Sequence, residues 1–251
     1  MMSKESCKMD MCNGPVLQKV IAFSLPLMLS SCLQLLFNAA DVIVVGRFAG
    51  STSLAAVGST TELLSLLTTL FIGFSIGANV NVARTLGNQD DQGTKDGIHT
   101  AVSVSILSGS AMILLGFLFG RPMLQWMGTP ADVIDKASLY LMIIFIGMPS
   151  NMAYNFGSAI LRAMGDTKRP LYFLSAAGVL NVVLNLIFVI VLHMDVAGVA
   201  LATILSETLS AVLILNCLCR TDGPCHLNIR KLYIQKDQLF RMLRIGLPAG
   251  I

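Results

Sequence analysis

Long apolar runs and short polar interruptions alternate along the chain, and the runs share a common length. Six stretches are nearly free of charge: Val20–Gly46, Ala49–Ala83, Ile98–Gly120, Ala137–Leu161, Leu171–Met194 and Val196–Cys219. Each reaches or exceeds the roughly 20 residues that a helix needs to cross about 30 Å of hydrocarbon. None shows the period-two alternation of a barrel strand, so helices are the expected spanning form, each satisfying its own backbone. The pattern predicts an all-α polytopic membrane protein with helices at about 18–46, 53–82, 98–120, 137–161, 171–193 and 196–219. In domain terms it predicts a polar N-terminal segment (1–15), a six-helix lobe (16–219), a linker (220–240) and the start of a seventh helix (241–251).

Composition agrees. Only 12% of residues are charged and the mean hydropathy is +0.75, whereas about a quarter of a soluble domain is charged. Fourteen of the 17 Lys and Arg residues fall on one side of the predicted topology, the side of the N-terminus, and only Arg47, Arg121 and Lys136 on the other. Basic residues concentrate in short cytoplasmic loops, so the N-terminus is expected inside. The net charge of +3 is then a topology signal and a contact for anionic lipid, not a nucleic-acid footprint. Residues 1–15 are polar and the first apolar run is too long for a signal peptide, so no cleaved leader is expected.

Five of the six cysteines (Cys7, Cys12, Cys217, Cys219, Cys225) lie in or beside predicted inner loops, and Cys32 lies within the first helix. Thiols stay reduced on that side, which argues against a disulfide framework. The group Cys217, Cys219, Cys225 and His226 lacks paired CxxC spacing and reads as a helix end running into a loop, with no metal site expected. No GxxxxGK[ST], GxSxG or HExxH motif is present, so neither an ATP-driven pump nor an enzyme is expected.

The informative residues are the polar ones inside the apolar runs. An acid at membrane depth costs roughly 2.5–3.5 kcal/mol on insertion scales, which makes Asp41 a functional-site candidate. Gln34, Asn38 and Asp41 follow an i, i+4, i+7 spacing on one helical face. Asn181 and Asn185 share a face of helix five, as do Thr203 and Glu207 of helix six. Glu62 in helix two and Asn155 in helix four are further candidates for the same cavity. Ser59 precedes Glu62 by three residues, as in a capping box, but the helix is expected to start nearer Ser53. Gly73 and Gly77 form a GxxxG read as close helix packing. Pro26 lacks an amide donor and gives helix one a bend point. The 14 methionines suit gap-filling between helices or an adaptable cavity. His99 and His193 are expected at the membrane edges.

Residues 19–29 (KVIAFSLPLML) and 241–251 (RMLRIGLPAGI) both place Leu-Pro seven residues after a basic residue, aligning Pro26 with Pro248. Six spans return the chain to its starting side. The repeat therefore predicts a second lobe of parallel orientation, and two such lobes suit alternating access.

Three motifs carry a family resemblance over about Val16–Ile251: Pro26 through Asp41 to Val45-Gly46-Arg47, the run LRAMGDTKRP at 161–170, and VAGVALAT at 196–203. In order and side they resemble the N-terminal lobe of a bacterial multidrug and toxic-compound extrusion (MATE) transporter. The resemblance implies twelve helices in two lobes, with a carboxyl at the Asp41 position carrying H+ or Na+ and Thr203 near the ion site. It also implies that protonation at Asp41 bends helix one at Pro26. Many family members carry Asp where this chain has Asn185, which leaves open whether Glu207 or Glu62 replaces that acid.

The combined expectation is a secondary multidrug antiporter exporting amphipathic organic cations in exchange for H+ or Na+, with no other cofactor. It would be a monomer in the bacterial cytoplasmic membrane. The expected ion-coupling residues are Asp41, Asn181, Asn185, Thr203 and Glu207, and the expected cavity residues are Gln34, Asn38, Glu62 and Asn155. The alternatives are a lipid-linked saccharide flippase of the same superfamily and a membrane-embedded enzyme using Asp41 and Glu207. The first needs a basic groove, and the interior offers acids and amides.

Overall fold

The computed structural model describes residues 16–250, and every regular element among them is helical. The expected N-terminal segment (with Lys4, Lys8, Cys7 and Cys12) and Ile251 lie outside the described residues. Helix α1 spans Val16–Val44, α2 Ser51–Gly87, α3 Asp91–Trp126, α4 Ile134–Ala163, α5 Lys168–Asn185, α6 Asp195–Cys219 and α7 Lys236–Ala249. Among the described residues, the first six are long and apolar enough to cross a membrane.

The ends differ from the sequence expectation for local reasons. Helix α3 starts seven residues before the apolar run because Asp90 caps it, accepting the Gly93 N–H at 2.9 Å. Its first polar turns therefore stand beyond the apolar stretch. Helix α7 starts at Lys236, so the expected linker over 220–240 is shortened to a strap of residues 220–235. The strap lies against α3. Gln235 N–H donates to Thr100 Oγ1 at 3.0 Å, and Tyr233 Oη donates to Asp96 at 2.5 Å. Tyr233 also stacks on His99 at 5.1 Å between centroids. Burial and the bond to Asp96 push the Tyr233 phenol up to about 12, which keeps it a donor at neutral pH.

The LRAMGDTKRP run is the turn between α4 and α5. Gly165 has φ 80°, and the Asp166 and Gly165 amides donate back to Leu161 O and Arg162 O, both at 2.9 Å, closing α4. The Asp166 carboxylate then receives the Arg169 N–H at 3.1 Å and pairs with its guanidinium at 3.2 Å, which starts α5.

Helix α4 lies at the centre, packed on α2, α3 and α6, while α1 packs chiefly on α5 and α5 on α6. One apolar cluster includes Val45, Met112, Leu124, Phe145 and Val199, and a second includes Ile98, Phe156, Ile160, Ile214 and Leu218. The Gly73/Gly77 pair has its partner in α7. A Cβ on Gly77 would stand 2.1 Å from Met242 O, and one on Gly73 would stand 2.6 Å from Gly246 O, so only glycine permits this approach.

Helix α1 runs unbroken through Pro26, whose carbonyl accepts from Ser30 Oγ at 2.8 Å. The departure from α geometry comes at the other end. Val45–Ala49 and Leu186–Val191 continue α1 and α5 as wider π-helical turns that contact each other. Such turns are frequent at functional sites.

Candidate functional site

Helices α1, α2, α4, α5 and α6 line an open cavity of about 600 Å³, within the range of drug-sized ligand pockets. Asp41 lines it from the last turns of α1, just before the π-helical segment. Its carboxylate accepts a hydrogen bond from Asn185 Nδ2 of α5. The same Nδ2 donates to Asn181 Oδ1 at 3.1 Å, and Asn181 Nδ2 reaches Thr203 Oγ1 at 3.4 Å. Thr203 Oγ1 donates back to Val199 O at 2.9 Å. Asn185 is fully buried, and its Oδ1 has no hydrogen-bond partner. The chain of groups from α1 through α5 to α6 thus presents a carboxylate, two amide oxygens and a hydroxyl. Hard oxygen donors of this kind suit a proton or a small cation.

Glu207 lines the same cavity from α6 but belongs to another group. It accepts from Asn151 Nδ2 at 2.7 Å, and Asn155 Nδ2 donates at 2.9 Å to both Oδ1 and the carbonyl of Asn151. Glu207 is not hydrogen-bonded to Asn185, whose Nδ2 serves Asp41 and Asn181. Gln34 and Asn38 line the cavity as the helical face predicted, and so does Asn155.

Glu62 is exposed on α2 and is not among the residues lining this cavity, although Ser65 one turn further is. The buried face of α2 runs through Ala56, Thr60 and Leu63, and Glu62 points off it. The capping reading of Ser59 fails as well: α2 begins at Ser51, and Ser59 Oγ bonds to Ala56 O at 3.0 Å.

Asn151 escaped the sequence reading, though it forms an i, i+4 pair with Asn155 on the same face test that selected Asn181 and Asn185. A second missed group lies at the opposite end of α4 from the LRAMGDTKRP turn. Lys136 Nζ donates to Asp195 Oδ2 at 2.5 Å and to Ser53 Oγ at 2.8 Å, while Ser53 donates to Asp195 Oδ1 at 2.5 Å. It joins the first turns of α2, α4 and α6. Sequence offered only three polar residues near helix ends, with nothing to pair them. Among the described residues no three His, Cys, Asp or Glu side chains gather as metal ligands.

The model of the MatE family matches residues 26–187. The chain belongs to the MatE family. Its MatE region runs from Pro26 to the π-helical end of α5 and so contains both Asp41 and Asn185. Among curated relatives, the chain is 34% identical over 202 residues to the probable multidrug resistance protein YpnP of Bacillus subtilis, covering 79% of this chain and 44% of YpnP. It is 29% identical over 236 residues to the probable multidrug resistance protein YoeA of the same organism, covering 91% and 51%. The crystal structure of MATE in the bent conformation superposes with a TM-score of 0.87 at 27% identity, over 94% of this chain and 53% of that one. The chain therefore spans about half the length of the MatE relatives it matches.

Proposed function

We propose that this chain forms the first lobe of a secondary active multidrug exporter that exchanges amphipathic organic cations for H+ or Na+ by alternating access. The observation that carries the reading is the hydrogen bond from buried Asn185 to Asp41 at the wall of a drug-sized cavity. A carboxyl there is costly unless it is used, and its neighbours are oxygen and amide groups fit for a small cation. The names of the Bacillus relatives support drug export, and the match to about half of each supports a second lobe of similar design. Asp41, Asn185, Asn181 and Thr203 hold the coupling ion in this reading. Pro26, where α1 lacks one backbone hydrogen bond, gives that helix its freedom to bend. The basic side of the molecule faces the cytoplasm.

The test is ethidium efflux from vesicles holding the full-length protein, under an imposed proton or sodium gradient. Wild type moves ethidium when one gradient is applied and stops when it collapses. Asp41→Asn abolishes the gradient-driven component. Efflux by Asp41→Asn at the wild-type rate would sink the proposal.

A further inference from the structure

The cavity holds a second carboxyl that the ion-coupling group does not use. Glu207 has one hydrogen-bond donor, Asn151, which Asn155 fixes in place. Beside it, Ser150 and Thr208 are hydrogen-bonded at 3.1 Å and pin α4 to α6. Among the described residues no Lys, Arg or His lies within ion-pair distance of Glu207. A carboxyl so placed, with one donor and no counter-charge, is neutral when protonated and, when ionised, favours a cation from outside the protein.

The space around it fits a large cation. Phe37 and Tyr154 contribute aromatic surface to the same cavity wall, and Leu174 and Ile72 contribute aliphatic surface. Carboxylate and aromatic face together are how proteins hold bulky organic cations. Asp41 is built differently: a buried amide closes over its carboxylate and a second amide stands behind. That arrangement suits a small ion. Both carboxyls line the same cavity, so they repel each other when both are charged.

We propose that Glu207, held by Asn151 and Asn155, is the residue that binds the positive charge of the organic cation, leaving Asp41 to the small coupling ion. This rests on the exporter reading above and divides its cavity into two subsites. A cation on Glu207 lowers the negative potential that holds the ion at Asp41, and by linkage the ion at Asp41 weakens the hold on the organic cation. The repulsion between the two acids thereby becomes the exchange.

The test is binding of tetraphenylphosphonium, whose charge does not titrate, to the full-length protein in lipid nanodiscs at alkaline pH without sodium. Glu207→Gln weakens binding about tenfold or more, as loss of a desolvated charge partner does. Glu207→Asp, which keeps the charge but withdraws it by one methylene, weakens it less and answers the same question if the glutamine variant does not fold. Glu62→Gln, an acid removed outside the cavity, binds as wild type. Wild-type affinity in both Glu207 variants, or a loss confined to Asp41→Asn, overturns the subsite while leaving the exporter reading standing. A wild type that neither binds nor moves the cation overturns both.

Discussion

Asn185 is the residue on which the proposed ion site turns, because it is fully buried and its one Nδ2 group serves both Asp41 and Asn181. Replacing it with leucine keeps the bulk and removes both bonds. A buried acceptor that loses its donor costs about 1–3 kcal/mol, which corresponds to roughly a 5- to 150-fold change in an equilibrium constant. Asn185→Leu is therefore expected to shift the ion concentration for half-maximal efflux by such a factor while tetraphenylphosphonium binding at Glu207 changes little. An unchanged ion dependence would show that Asn185 merely ties α5 to α1. Single residues of this kind were legible in the sequence because a polar group in an apolar run is conspicuous. Asp41, Asn181, Asn185 and Glu207 were found that way. Which acid met which amide was not legible, since Asn185 to Asp41 and Asn151 to Glu207 are pairings between different helices. Glu62 shows the limit from the other side. Its position in an apolar run marks it as unusual, but only packing shows that its face of α2 is exposed.

Between elements, the closest approach to a backbone atom at a described glycine is that of α2 and α7. Gly77→Ala sets a Cβ against Met242 O, a backbone atom that cannot swing aside. Overpacking of this kind costs typically about 1–3 kcal/mol. Amide exchange across Lys236–Ala249 is expected to rise in Gly77→Ala and to stay at the wild-type level in Gly87→Ala, where a Cβ meets open space. Equal exchange in both variants would mean that α7 does not depend on this seam. The GxxxG was readable as packing, but its partner was not, because α7 lies more than 150 residues away in sequence. Helix existence was likewise readable from apolar length. Helix ends were not, because caps such as Asp90 and the polar first turns of α3 extend helices beyond the apolar run that announces them.

At the scale of the whole molecule, six spans place the α2–α3, α4–α5 and α6–α7 connections on the side where α1 begins, and the other three connections opposite. The first side carries Lys19, Arg84, Lys95, Arg162, Lys168, Arg169 and the basic strap, and the second only Arg47, Arg121 and Lys136. The fold fixes which loops share a side, and the charge bias predicts that this side faces the cytoplasm. The ion gradient sets the direction of exchange in an alternating-access antiporter, while this assignment sets which compartment meets each mouth of the cavity. Cysteine accessibility decides it. In a full-length background with the native cysteines changed to serine, Arg47→Cys is expected to react with a membrane-impermeant thiol reagent in intact cells. Lys168→Cys, in the exposed first turn of α5, is expected to react only after the membrane is opened. Each substitution removes one charge from a 14:3 bias, too little to reverse it. The reverse labelling pattern would place the basic face outside and overturn this orientation, with the fold and both proposed carboxyl subsites unchanged.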